Sequence, residues 1–536
     1  MDRKYAIALW IPLIAFVVCL HAANLFLGDL NQDEGWYLYA ARLVNQGCLP
    51  YLDFATTQGP VMPFVYAVAE PLVQAWGLAG GRLFTAFLGL AGAGLAAWLA
   101  SRLVRGNRIP VVLMVVALTA ANVYQNYFCT VVKTYSLTVV LLTAGFLLLT
   151  AVAGRRGSVA AFAAGLFFGL AAATRSSAIL TIPAVGLVLF AGVRQVGILR
   201  PFWFLSGSGL ALAAAFVPFW WSAPEAVWFA LWDYHAGREP GGWLSVLAYK
   251  AGFASRLIQV YFVAFALFAA AVVRAVLNRL RDGSTAFRIP SLPVVALWLT
   301  VVLMTAAHGL APFPYDDYQV IVYPLFVAAL CAWVCDLWTP AAGGTGGGGA
   351  TAGVRMNPVL PVLALVYVLG LVSALSSPMN QEWFVGRRDR IWWPLKTETP
   401  LAKLQQAAEM VRLLTAKDER LLTQDPYLAV ESGRALPRGL ELGQFSYYPG
   451  WTRERAERCR VLNAEMMREL LDTVRAPVAA FSGYGFAIRS PEILPLSPGD
   501  SADLWARVYR RYAPFRTIPD FGQAATPLQI LLLKEP

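Results

Sequence analysis

Long apolar runs recur from residue 5 to residue 376, and nearly all charge in that stretch is confined to the short segments between them. A helix needs roughly 20 mainly apolar residues to cross a bilayer, where no water is available to satisfy a backbone left unpaired. By that measure there are about eleven spans, near 5–27, 80–103, 109–127, 134–153, 158–174, 176–193, 202–222, 252–277, 291–308, 318–338 and 358–376. A single soluble core cannot absorb so many runs of this length, and the 58% hydrophobic content of the 536 residues agrees. The expected fold class is a polytopic α-helical membrane protein. The apolar stretch from Pro60 to Trp76 holds Pro63, Glu70 and Pro71, so it is expected to lie at, or dip into, the interface.

The net charge of +11 does not call for a nucleic-acid partner, because basic loops are what orient membrane helices. Arg3 and Lys4, Arg102, Arg105 and Arg108, Arg155 and Arg156, Arg194 and Arg200, and Arg279, Arg281 and Arg288 all fall on one side if the spans alternate. That side is expected to be cytoplasmic. Asp29, Asp33, Glu34, Asp53, Glu225, Asp233, Asp316 and Asp317 fall on the other. The first span also has the look of a signal peptide ending near Asn24, but its apolar run is longer than a usual signal core, which favours an anchor.

Residues 1–340 thus read as a transmembrane bundle with a first outer loop at 28–60. Residues 341–356 read as a Gly-rich cytoplasmic linker, 357–376 as a last anchor helix, and 377–536 as a small extracytoplasmic α/β domain. In that tail, Leu401–Leu414 and Ala502–Tyr512 pattern as helices, and Arg420–Thr423, Pro477–Phe481 and Leu528–Leu533 as strands. Its aromatic run from Phe445 to Trp451 suits either local core or the stacking of a sugar. The six cysteines give no disulfide framework and no metal-ligand spacing.

Two groups of polar residues carry the chemistry. The first outer loop supplies Asp33, Glu34, Tyr37, Arg42 and Gln58. An acidic first helical turn is also ordinary capping. Lys133, Arg175, His235 and Arg238 stand at outer span ends, against the charge rule. Arginine there suits a phosphate, whose oxygens match its planar donors, although such side chains also snorkel to headgroups.

The segment DEGWYLYAARLVNQG at 33–47, followed by Pro50-Tyr51 and Gln58-Gly59-Pro60, resembles the first outer loop of the protein O-mannosyltransferase and lipid A aminoarabinose transferase superfamily. These are GT-C fold glycosyltransferases that use polyprenyl-phosphate sugars. AATRSS at 172–177, LWDYHAGR at 231–238 and FPYDDYQVIVYP at 313–324 resemble later pieces of the family in the same order. The resemblance implies that Asp33 is the general base, with Glu34 its alternate or its partner in positioning the acceptor. It implies that Arg175, Arg238 and Tyr318 hold the donor phosphate with His235 close by, while Tyr37, Arg42 and Gln58 face the acceptor. The implied partners are a polyprenyl-phosphate sugar, membrane lipid, and a glycan, lipid or protein acceptor. No cofactor is required, with a divalent cation possible at Asp316 and Asp317. The implied location is a bacterial inner membrane, with the site and tail outside.

Two departures stand out. The family's Lys-Pro-Pro reads Gln58-Gly59-Pro60 here, and an acid of the second outer loop is replaced by Lys133-Thr134-Tyr135-Ser136, so Lys133 is expected to supply the missing cation. The competing class is a transporter or flippase of lipid-linked sugars, for which internal repeats and mid-membrane polar groups would be expected.

Overall fold

The computed structural model describes residues 3–236, 242–282, 290–338, 359–375, 398–486, 496–523 and 525–534. The Gly-rich run at 341–356 and Arg238 lie outside them. Helix occupies all the predicted span positions. Six helices are long and apolar enough to cross a membrane: Ala8–Leu27, Glu70–Leu103, Gly157–Thr174, Leu199–Ser222, Phe262–Leu280 and Leu292–Leu310. Five shorter apolar segments stand at the remaining positions: Arg108–Thr119, Tyr135–Leu149, Ser176–Ala191, Tyr323–Trp338 and Val359–Val372. Trp220, Trp221, Trp228, Trp232 and Trp243 are exposed in one stretch, as interfacial tryptophans are.

The first eight α-helices in chain order are α1 (Arg3–Leu27), α2 (Gln32–Asn45), α3 (Val61–Ala67), α4 (Glu70–Leu103), α5 (Arg108–Thr119), α6 (Val123–Phe128), α7 (Tyr135–Leu149) and α8 (Gly157–Thr174). Several predicted spans differ in detail from the sequence reading: the run at 252–277 breaks at Tyr261, and that at 176–193 opens with a 3-10 turn, Ser176–Leu180. The run at 109–127 is broken into α5 and α6, because the Asn122 side chain accepts the Gln125 N–H and restarts the helix. The run at 318–338 opens with a 3-10 turn, Asp316–Ile321, before its helix. The stretch after Pro60 is α3 followed by the first turns of α4, which bends at Gly77.

That bend has φ +57°, in the left-handed region that only glycine adopts at little cost. The helix restarts beneath the Glu431 carboxylate, which accepts the Leu78 N–H at 2.7 Å. A carboxylate at a fresh helix N-terminus meets both an orphan donor and the positive end of the helix dipole.

The tail is an α/β domain with a four-stranded sheet in the order β1-β2-β4-β3. The strands β1 (Leu421–Thr423) and β2 (Val478–Phe481) are parallel, while β3 (Tyr512–Phe521) and β4 (Thr526–Leu533) form an antiparallel pair. The strand β3 escapes the sequence pattern. It holds Pro514 and Pro519, carries two register irregularities and occupies the sheet edge, where a missing donor costs little. The helix expected over 502–512 runs Pro498–Arg511, and Tyr512 already belongs to β3.

One buried carboxyl limits this domain. Asp425 is buried after β1, with one oxygen accepting from Tyr427 Oη at 2.9 Å and Ser482 Oγ at 3.1 Å. Burial pushes its pKa up to about 6. The folded domain therefore holds this proton more tightly than the unfolded chain does, and the group's contribution to stability falls as pH rises from about 4 to about 6. Asp425→Asn is expected to remove that slope and to raise the melting temperature at pH 7, with up to about 3 kcal/mol at stake. Melting curves of both proteins at pH 4.5 and pH 7 check it, and equal slopes would refute it.

Candidate active site

The helix that carries the acidic pair is fixed from three sides. Asn31 caps it, accepting the Asp33 N–H at 3.0 Å, while the Glu34 carboxylate accepts the Asn31 N–H at 2.9 Å. This is a capping box, so the plain structural reading of the acidic turn holds for Glu34. Below, Arg82 in α4 donates to both Glu34 oxygens at 2.8 and 2.7 Å, and neither side chain is exposed at all. Arg82 also donates to the carbonyls of Leu25, Gly28 and Asp29, which fastens the end of α1 to the same point. Glu34 further accepts the Val132 N–H at 3.2 Å. With that set of donors it anchors α2, and it is not available as an alternate base.

On the third side lies the tail domain. Gly35 abuts the Tyr427 backbone, and a Cβ there would stand 2.2 Å from the Tyr427 nitrogen. The Leu436 N–H donates to Tyr39 Oη at 2.8 Å, and the ring of Trp36 meets Phe445 edge-on at 5.0 Å. Arg42, expected to face the acceptor, donates to the carbonyls of Ala429 and Val430 and pairs with Glu70 at 3.5 Å, so it ties domain to bundle. The aromatic run of the tail is core at this joint. Phe445 also packs on Tyr234, and Trp451 stacks on Tyr448 while meeting Phe229.

Asp33, one residue before Glu34, has a different environment. Its side chain is 20% exposed and pairs with Lys133 at 3.1 Å. Lys133 in turn donates to Asp317 at 2.8 Å, and its ammonium lies over the ring of Tyr135. Asp316, the neighbouring acid, pairs with Arg256 at 2.9 Å and accepts from Tyr124 Oη.

Beside this group, Arg175 closes the last turn of α8. Its guanidinium lies between the rings of Tyr135 and Tyr318, 4.7 and 4.9 Å from their centroids, and donates to Thr134 Oγ1 at 3.2 Å. It is buried with no carboxylate partner among the described residues, and its Nε has no hydrogen bond. The structure thus brings together Asp33, Lys133, Arg175 and Tyr318 from four separate segments.

The loop before α3 packs against the end of α8. Gly59 lies against the Ala173 carbonyl, 1.9 Å from where a Cβ would stand, so only glycine lets this loop reach the end of α8. Next to it, Gln58 is buried with Oε1 unbonded, and its carbonyl accepts from Tyr51 Oη at 2.7 Å. His235 contacts the Thr57 carbonyl through Nε2 at 3.1 Å. Tyr37 is buried, close enough to Asp33, Arg175, Lys133 and Tyr234 for their charges to act on it, and burial raises its phenol well above the ordinary range.

Sequence reasoning missed Arg82, Asp317 as a partner of Lys133, and Tyr135. An arginine in the first turns of an apolar span was a usable signal for Arg82, since such a group is costly without a partner. Nothing local in the sequence pairs Lys133 with Asp317, 184 residues away.

A helical membrane bundle, an acidic loop folded over one end of it and an α/β domain seated on that loop make up the architecture, and similarity to solved structures shows it to be the GT-C fold that the resemblance implied. The chain is similar over 98% of its length to 98% of ArnT from Cupriavidus metallidurans in the apo state, at 14% identity and a TM-score of 0.61. Against ArnT from the same organism bound to undecaprenyl phosphate, the match covers 97% of both chains at 14% identity, with a TM-score of 0.57. No protein-family model matches the chain, and no curated protein does.

Proposed function

We propose that this protein is an inverting membrane glycosyltransferase that moves a sugar from a polyprenyl-phosphate donor to a hydroxyl of an acceptor outside the cytoplasm. The observation that carries this reading is Arg175. A buried guanidinium lying over the rings of two tyrosines, with an unbonded Nε and no carboxylate in ion-pair contact among the described residues, is suited to a phosphate diester. The fold it shares with a protein solved with undecaprenyl phosphate supports the same ligand.

In this reading Asp33 alone serves as base. The acceptor oxygen attacks the anomeric carbon, the bond from that carbon to the phosphate oxygen breaks with its electron pair leaving on the phosphate, and the acceptor proton passes to Asp33. A carboxylate ionised at neutral pH assists an alcohol only as the carbon becomes cationic, so positioning supplies much of the rate. Arg175 and Tyr318 stabilise the charge that grows on the departing phosphate, and a fixed cation does so without reorganising. Gln58 Oε1, buried and unbonded, is left to accept from a sugar hydroxyl. The scheme needs no metal, and Asp316 and Asp317 are each held by a cation. Transfer is accordingly expected to be unchanged by EDTA, and a loss restored by a divalent ion would overturn that part.

The deciding experiment incubates purified protein in nanodiscs with a panel of polyprenyl-phosphate sugars and a crude envelope extract, and follows labelled sugar. Transfer from one donor, with the anomeric configuration of the product inverted, supports the reading. Protein that binds undecaprenyl phosphate but transfers from no donor counts against it.

A further inference from the structure

Two carboxylates from opposite ends of the bundle sequence converge on one ammonium. Lys133 Nζ donates to Asp317 at 2.8 Å and pairs with Asp33 at 3.1 Å. The Asp317 side chain is 5% exposed and that of Lys133 10%, whereas that of Asp33 is 20% exposed. The ammonium is further confined by the rings of Phe128 and Tyr135 at 5.5 and 5.2 Å. A lysine so held has little freedom to swing onto a ligand, and a buried pair broken on one side leaves an uncompensated charge.

We propose that Asp317 is a positioning residue, acting through Lys133 to aim the Asp33 carboxylate, and that Lys133 belongs to this clamp and is not a ligand of the donor phosphate. This rests on the glycosyltransferase reading and adds to it a division of labour. One cation, Arg175, serves the phosphate; the other, Lys133, serves the base. The acid from the 3-10 turn Asp316–Ile321 keeps Lys133 charged and pointed while Asp33 gains and loses its proton. Without Asp317 the ammonium would have a single partner and could follow Asp33 into several orientations. Without Lys133, two carboxylates would face each other across the gap it fills.

The test is a double-mutant cycle on the full-length protein in nanodiscs, with Lys133→Met, Asp317→Asn and both together, read as kcat, as donor KM and as binding of undecaprenyl phosphate alone. Asp317→Asn is expected to lower kcat about 10-fold and Lys133→Met about 100-fold, with undecaprenyl phosphate binding unchanged in both. The double variant is expected to be faster than Lys133→Met, since it removes the facing acid, and couplings of about 2- to 150-fold are usual within one network. Rescue of kcat in the double variant is the result a merely structural role would not produce. Lost phosphate binding in Lys133→Met would make it a donor ligand and overturn the proposal. Single variants at the wild-type kcat would overturn it as well. If wild-type protein transfers from no donor, the glycosyltransferase reading and this proposal fall together, whereas an active wild type with indifferent variants sinks the proposal alone.

Discussion

Asp33→Asn is expected to reduce transfer by roughly 10²- to 10⁴-fold, the usual contribution of a positioned base, while leaving the binding of undecaprenyl phosphate intact. The substitution keeps the shape of the side chain and removes its ability to take a proton. It should also spare the fold. Helix α2 is held by Glu34 on Arg82 and by the tail domain, and Lys133 keeps Asp317 when Asp33 no longer carries charge. Rates under saturating donor, with binding measured separately, check the split. An Asp33→Asn variant that turns over like the wild type, or one whose donor binding falls as far as its rate, would remove Asp33 from the chemistry.

Arg175→Ala is expected to act on the other parameter, weakening undecaprenyl phosphate by about 30-fold to several thousand-fold. That is the cost of truncating one partner of a buried charge pair, about 2–5 kcal/mol. Arg175→Lys is expected to recover little of it. The site holds a flat guanidinium between the Tyr135 and Tyr318 rings, and an ammonium offers neither the flat face nor two parallel donors. Tyr318→Leu should fall between the two, since it removes one of the two ring contacts and keeps the cation. Direct binding of undecaprenyl phosphate to the four proteins gives the order. Wild-type affinity in Arg175→Ala would exclude this arginine from the phosphate site.

Much of this architecture was legible in the sequence, because the bilayer allows few solutions to a backbone that must satisfy its own polar groups. The span positions follow from the apolar runs, and the tail follows from the return of charge after them. Asp33 and Arg175 could be singled out singly, since ionisable groups at a membrane rim are costly enough to need a reason. What one line of residues cannot display is which charges cancel. Glu34 and Asp33 are neighbours with the same charge and opposite environments. The difference is made by Arg82, 48 residues from Glu34, and by Lys133, which meets Asp33 from the turn before α7. Arg42 looked like a substrate contact for the same reason, and only the seated tail reveals its partners as the carbonyls of Ala429 and Val430.

The seat of the tail domain on α2 bears on how this protein matures. Chains are made from the amino end, and domains fold as they emerge. The helix that carries Asp33 is therefore inserted early, yet its outward face stays uncovered until Tyr427, Leu436 and Phe445 arrive nearly 400 residues later. During that interval α2 is held only from the bundle side, by Arg82. A chain stalled before Tyr427 would leave α2 in the membrane half without these contacts.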